Sequence, residues 1–331
     1  MPSAAQTLEA VRFEELRDVV EAELQNLDFP DEPADLYDAV RYVLKGGGKR
    51  LRPVTLLLTA EAFGVETERA MPAALAVELF HNFTLVHDDI MDKAETRRNR
   101  RTVHIVWNAE TAILAGDLIM AKAYDTLSKL SVTNLADVHH RFYRTVAALC
   151  EGQSLDTAFE RRSNVSVDAY LDMIDRKTGA LLQSCFELGG VLGDAASPKI
   201  QELRELGRHV GRGFQIQDDL LDLMADDARW GKVIGGDLMV GKKTYLLLRS
   251  LELSEGRDYE WFQRIVTNEG LRANQVDEAR ERMSNLGVLT DAEEAVRHHV
   301  EQAVAHLDVL PEGNARATLH WLLLKLQKRV H

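Results

Sequence analysis

Apolar positions recur along most of the chain at three- and four-residue intervals, the period of an α-helix with one buried face. Residues 33–45 (PADLYDAVRYVLK) carry this spacing, and Gly46-Gly47-Gly48 stops the helix they predict. Lys49-Arg50-Leu51-Arg52 follows, and Pro53 suits the start of a new helix over 53–63, where a missing N–H costs nothing. Residues 73–92 (AALAVELFHNFTLVHDDIMD) are apolar nearly all round, which predicts a helix buried in a core. Helical patterns continue over 109–130, 138–160, 167–192, 199–225 and 242–253, with more to 329. Prolines at 2, 30, 33, 53, 72, 198 and 311 leave 73–197 and 199–310 free of a residue that costs about 3 kcal/mol inside a helix. No Asn-Gly or Asp-Gly turn joins alternating runs, so strands are not expected. The exception is 226–241, where glycines at 231, 235, 236 and 241 predict a mobile loop. The pattern predicts an all-α fold of ten or more helices, in a single domain over 1–331.

Composition narrows the function. Of 331 residues 45% are apolar, enough for a sizeable core, and the net charge is −13, which argues against a general nucleic-acid binder. Cys150 and Cys185 form no disulfide framework and no C-x-x-C, so a reducing, cytoplasmic location is expected. The first ten residues (MPSAAQTLEA) carry no signal-peptide pattern, and no transmembrane segment is expected.

Charge order says more than net charge. Asp88-Asp89-Ile90-Met91-Asp92 ends the apolar helix 73–92, and on a helix Asp88 and Asp92 lie one turn apart on one face, about 6 Å along the axis. Asp218-Asp219-Leu220-Leu221-Asp222 repeats the spacing on a second apolar helix. A lone D-D-x-x-D is ordinarily a solvated acidic turn. Two copies, each inside an apolar helix, instead suggest divalent cations, because unpartnered buried carboxylates cost several kcal/mol each. Magnesium takes a few carboxylates plus phosphate oxygens and water, so the pair suggests a magnesium-bridged diphosphate. A di-iron bundle would want two Glu-x-x-His motifs, and only Glu78-Leu79-Phe80-His81 is present.

Basic clusters stand close by. Gly47-Gly48-Lys49-Arg50-Leu51-Arg52 puts cations at a helix start, where free N–H groups already favour an anion. Arg97-Arg98-Asn99-Arg100-Arg101 follows the first acidic motif; it reads either as a solvated basic run or as part of a site balancing metal, phosphate and guanidinium charge. Lys177-Thr178, Lys232 and Lys242 add further cations, the latter two beside or within glycine-rich sequence. His81 lies about two turns before Asp88 on nearly the same face, as a core histidine or as a donor near an anion.

These residues resemble the trans-isoprenyl diphosphate synthases, or polyprenyl synthetases. The resemblance runs through GGKRLRP at 47–53, HNFTLVHDDIMD at 81–92, RR at 97–98, His104, AILAGD at 112–117, EGQ at 151–153, KTGALL at 177–182, FQIQDDLLD at 214–222 and GKVIGGDLMVGKKT at 231–244. It implies an isoprenoid-synthase helical bundle around a deep central cavity, usually a homodimer. It also implies head-to-tail condensation of isopentenyl diphosphate with an allylic diphosphate (dimethylallyl, geranyl or farnesyl) and a Mg2+ cofactor. Carried over by motif, Asp88, Asp92 and Asp218 resemble the magnesium ligands, with Asp89, Asp219 and Asp222 supporting them directly or through water. Arg97, Lys232 and Lys242 resemble the allylic-diphosphate cations, and Lys49, Arg52, His81 and Arg98 the isopentenyl-diphosphate site. Lys177, Thr178 and Gln215 resemble the residues whose dipoles face the developing allylic cation. No side-chain base stands out, so the departing diphosphate is the expected proton acceptor, and loop 226–241 is the expected closure against water.

The sequence departs from the family pattern after the arginine pair: Asn99 and Arg101 stand where glycine and proline are common, and Arg100 and Arg101 have no assigned role. On the helix before Asp88, Phe80, Phe83 and Thr84 are the expected lining of the product tunnel, with ordinary core packing as the alternative for both phenylalanines. Phe83 five residues before an uninterrupted motif resembles short-chain enzymes, particularly geranylgeranyl diphosphate synthases. The alternatives are a farnesyl diphosphate synthase and a non-catalytic subunit of a heteromeric prenyl synthase. A class I terpene cyclase would usually replace the second D-D-x-x-D. A non-catalytic subunit typically loses acidic residues, and none is lost here.

Overall fold

The computed structural model describes residues 7–224 and 234–327. In chain order the helices are α1 (Leu8–Gln25), α2 (Ala34–Leu44), α3 (Leu51–Ala62), α4 (Thr67–Met91), α5 (Val103–Val106), α6 (Ala109–Leu127), α7 (Leu135–Glu160), α8 (Val167–Ile174), α9 (Ala180–Leu192), α10 (Ser197–Met224), α11 (Gly236–Met239), α12 (Tyr245–Leu253), α13 (Gly256–Arg264), α14 (Val276–Asn285), α15 (Val288–His306) and α16 (Asn314–Gln327). The fold is all-α, as the apolar period predicts. Among the described residues, the sheet is one two-stranded hairpin, β1 (Thr96–Arg97) with β2 (Arg100–Arg101). The chain divides into two compact units, neither contiguous in sequence: Met1–Tyr143 with Ser184–Leu203 and Val309–Trp321, and Arg144–Gln183 with Arg204–Asp308 and Leu322–His331.

In the first unit α4 packs on α3 and α6. Ala70, Ala73, Ala74 and Ala76 are wholly buried on α4, as is Phe80. Small residues let backbones approach there, and Gly189 takes this further: a Cβ on it would lie 2.6 Å from the Thr59 side chain. α4 begins earlier than the pattern predicts, with Pro72 inside its N-terminal part. Arg50 opens α3 in a left-handed conformation, φ 49°, which is uncommon for a residue with a Cβ. Its buried guanidinium donates to Glu78 Oε1 at 2.6 Å and Glu21 Oε2 at 2.8 Å, which fixes that conformation.

In the second unit Ile216, Leu220 and Leu223 of α10 enter a core with Leu247, Phe262, Met283, Val288 and Val296. The helix expected over 167–192 is interrupted: between α8 and α9, Asp175–Gly179 forms a π-helical turn. Such turns are uncommon and recur at functional sites. Glycines on two neighbouring helices accommodate it. A Cβ at Gly152 would lie 2.3 Å from the Lys177 amide nitrogen, and one at Gly211 would lie 2.7 Å from Gly179 Cα. Arg212 closes the turn by donating from Nε and Nη2 to the two oxygens of Asp175, at 2.7 and 2.6 Å. Of the expected loop 226–241, residues 226–233 lie outside the described residues, and Gly236–Met239 is helical rather than loop.

Candidate active site

The first acidic motif closes α4, which ends at Met91, and the second lies within α10. The helix dipole places partial negative charge at the end of α4, so carboxylates there are disfavoured unless a cation answers them. Asp88 is partly exposed and Asp92 exposed, while Asp89 is 6% exposed. Arg97 Nε donates to Asp89 Oδ1 at 2.6 Å, and Arg97 Nη2 lies 4.0 Å from Asp88 Oδ2. Burial pushes the Asp89 carboxyl above its ordinary range, and Arg97 draws it back down.

In the second motif Asp218 and Asp222 are partly exposed and Asp219 is 4% exposed. Asp219 Oδ2 accepts from the Tyr170 hydroxyl at 2.6 Å and from the Tyr245 backbone N–H at 2.9 Å; Oδ1 accepts from Gln215 Nε2 at 3.1 Å. Burial pushes this carboxyl up to about 7 against the pull of those donors. Asp222 Oδ2 accepts from the Asp237 N–H at 3.2 Å, which ties the motif to α11. The middle aspartates are thus the buried ones, and Asp88, Asp92, Asp218 and Asp222 are the carboxylates left nearer solvent.

The first unit gathers its cations beside α4. Arg52 Nη1 lies 3.2 Å from His81 Nε2. A guanidinium only donates, so His81 Nε2 accepts and Nδ1 carries the proton. Burial, followed by the charges of Arg52, Arg98, Arg97 and Arg50, holds His81 far below its ordinary value, so the ring is neutral. Burial also lowers Arg52, which stays charged, and its Nε is buried without a hydrogen-bond partner. A charged donor left so costs free energy until an acceptor reaches it. Arg98 donates from Nη1 to the Gly47 carbonyl and Lys49 is exposed. Arg97, Arg98 and Asp89 line one cavity together with Tyr42, Asn82 and Arg100.

A second cavity is lined by Lys177, Thr178, Gln215, Asp219, Lys242 and two residues that the motifs did not single out, Asp156 and Tyr170. Asp156 Oδ2 accepts from Lys177 Nζ at 2.5 Å, and Thr178 Oγ1 donates to Gln215 Oε1 at 3.1 Å. Lys242 Nζ lies 3.6 Å from Asp237 Oδ1. Lys232 lies outside the described residues. Asp156 stands one turn after Gly152 of the EGQ segment, a spacing that could have drawn attention to it. Tyr170 has no such signal. Glu78, met in sequence only as half of a weak iron motif, is the buried partner of Arg50.

Phe80 is wholly buried, with Phe83 stacked on it at 5.6 Å between ring centroids and Phe142 edge-on at 5.6 Å. Thr84 Oγ1 donates to the His81 carbonyl at 2.8 Å. Among the described residues, no three His, Cys, Asp or Glu side chains are placed to hold a metal ion together. Magnesium needs no such set when phosphate oxygens and water complete its shell, and an all-carboxylate donor set suits it. No helix among the described residues is long and apolar enough to cross a membrane.

All-α units bearing two helical D-D-x-x-D motifs and two basic segments define the class of isoprenoid-synthase enzymes. Residues 33–283 match the family model described as Polyprenyl synthetase. The geranylgeranyl diphosphate synthase of Methanosarcina mazei is 39% identical over 297 residues, 88% of this chain and 89% of that one. The geranylfarnesyl diphosphate synthase of Natronomonas pharaonis is 36% identical over 305 residues, 87% of this chain and 88% of that one. The crystal structure of the Pyrococcus horikoshii geranylgeranyl pyrophosphate synthetase superposes with a TM-score of 0.89 at 36% identity, covering 96% of this chain and 98% of that one. The chain belongs to the polyprenyl synthetase family and is a prenyltransferase, a short-chain trans-isoprenyl diphosphate synthase.

Proposed function

We propose that this enzyme joins isopentenyl diphosphate head-to-tail to dimethylallyl, geranyl and farnesyl diphosphates and releases geranylgeranyl diphosphate. The observation that carries the reading is on α4, where a cation-lined, neutral His81 and the Asp88–Asp92 carboxylates stand on one helix. In this reading Lys49, Arg52, His81 and Arg98 bind the isopentenyl diphosphate, with Arg52 Nε as an unanswered charged donor. Arg97, Lys232 and Lys242 bind the allylic diphosphate. Asp88, Asp92 and Asp218 hold Mg2+, Asp222 assists, and Asp89 and Asp219 fix their neighbours from inside. Bound magnesium supplies charge neutralisation of the departing diphosphate.

The remaining work falls to this chain's own groups. Thr178 donates its hydroxyl hydrogen bond to Gln215, which leaves the threonine oxygen lone pairs for a developing allylic cation. Asp156 holds Lys177 at the π turn beside them. The isopentenyl double bond attacks the allylic carbon, and the departing diphosphate takes the proton lost from the adduct. The Phe80–Phe83 stack is the proposed floor for the growing tail. The single-domain expectation over 1–331 belongs to the proposal, supported by a family match that takes in stretches of both units. So does the homodimer, for which Ile113 and Leu114 of α6 offer exposed apolar surface.

The test is incubation with isopentenyl diphosphate, each allylic starter and Mg2+, with products read by mass spectrometry. A twenty-carbon diphosphate is expected, and Phe83→Ala is expected to lengthen it. No condensation without an added partner protein would favour a non-catalytic subunit, and an unchanged product from Phe83→Ala would remove the floor.

A further inference from the structure

Arg100 and Arg101 carry no role in the reading above, and the family pattern supplies none. The hairpin explains why the chain turns here without glycine. Arg98 and Asn99 both sit at positive φ, 51° and 59°, the two central residues of a type I′ turn. Asn tolerates that conformation better than other residues with a Cβ, so Asn99 can stand in for glycine. The turn puts Arg97 and Arg98 at its leading edge and Arg100 and Arg101 on the returning strand.

The returning strand is fastened to the end of α2 from both sides. The Arg100 guanidinium lies over the Tyr42 ring, 3.9 Å from its centroid, and Arg100 Nη1 donates to the Tyr42 carbonyl at 3.2 Å. The Tyr42 hydroxyl donates in return to the Arg101 carbonyl at 2.8 Å. Trp107 meets the Tyr42 ring edge-on at 5.4 Å and limits its rotation. The carbonyl that Arg100 reaches belongs to the last turn of α2, where the helix dipole favours a cation. Beyond the end of α2, Arg98 donates to the Gly47 carbonyl.

We propose that the Arg100–Tyr42 clamp sets the register between the arginine hairpin and the turn 46–52, and so positions Arg98 against Lys49 and Arg52. Arg100 is a positioning residue in this account and does not itself touch substrate. The inference rests on the proposed isopentenyl-diphosphate site. It predicts that the clamp acts on affinity for that substrate and little on the chemical step.

Steady-state kinetics and calorimetric binding of inorganic diphosphate on the full chain test it. Arg100→Ala is expected to raise KM for isopentenyl diphosphate and the Kd for inorganic diphosphate by about tenfold, with kcat within about twofold. Arg100→Lys should recover part of the loss, since lysine keeps a cation over the ring but lacks the planar fork. Tyr42→Phe keeps the ring and removes one bond, and a rise of about two- to threefold is expected. In the double variant Arg98→Ala with Arg100→Ala, the second change should add little to the first, because Arg100 acts only through the placement of Arg98. If Arg98→Ala raises KM and Arg100→Ala leaves it unchanged, the clamp is overturned and the site stands. If Arg98→Ala itself leaves KM unchanged, the site reading fails. A fall in kcat at constant KM for Arg100→Ala would also overturn the proposal, by placing Arg100 in the chemistry. Should Arg100→Ala fail to fold, Tyr42→Phe decides: unchanged KM and Kd refute the clamp.

Discussion

Asp89 and Asp219 occupy the same place in their motifs and are held by different means. Asp89 rests on one guanidinium, Arg97, which is itself partly exposed and sits on a two-residue strand. Asp219 rests on three neutral donors from α8, α10 and the start of α12, of which Tyr170 and Tyr245 belong to the packed core. The first motif is therefore coupled to the basic hairpin, so that whatever moves Arg97 also acts on Asp89. The second is held without a guanidinium, because the donors that support Asp219 are neutral. The same spacing thus yields one motif supported by a charge and one supported by neutral donors.

The largest effect expected from probing this contrast falls on the outer carboxylates, where the two motifs should behave alike. Asp88→Ala and Asp218→Ala should each lower turnover by at least about 10²-fold, as loss of a strong electrostatic stabiliser does; near-wild-type turnover in either would break the equivalence. The inner pair should then separate. Asp219→Ala strands the Tyr170 hydroxyl and the Tyr245 N–H in the core and should cost on the order of 2–4 kcal/mol of stability. Asp89→Ala leaves Arg97 able to reach water and should cost about 1 kcal/mol or less. Denaturant titration of the two variants checks the order, and a reversal would refute the account of how each is held.

A smaller asymmetry concerns acid. On α10, His209 Nδ1 lies 2.9 Å from His299 Nδ1 of α15, with His306 stacked on His209. Burial, with Arg208 for His209 and with His209 and Arg212 for His299, lowers these rings to about 4 and about 3. The unfolded chain binds protons below about pH 6.5 that the folded chain refuses, so stability present above that pH is lost as pH falls toward 4. Melting temperature should fall over this window, and His299→Gln should flatten the slope. A slope unchanged by His299→Gln would remove the pair as its cause.

The D-D-x-x-D spacing was readable because residues four apart on a helix share a face whatever surrounds them. The inward turn of Asp89 and Asp219 was not, because it depends on Arg97 and Tyr170 reaching in from other elements. Arg50 and Glu78 are ordinary charged residues until tertiary structure buries them against each other. The hairpin escaped notice because its type I′ turn is written Arg-Asn rather than Asn-Gly. The helices of the all-α fold followed from apolar period with boundaries displaced by a few residues, and the break in 167–192 left no compositional trace.

That break has a consequence for how the chain could change over generations. A π turn is geometrically one residue added to an α-helix, and one residue amounts to about 100° of rotation. Lys177 and Thr178 are thus aimed in directions that a continuous helix from α8 into α9 would deny them. A single-codon deletion within Asp175–Gly179 could leave a longer, smoother helix and turn both side chains away from Asp156 and Gln215. The segment would gain regularity and lose its aim, and Gly152 and Gly211 would no longer need to be glycine.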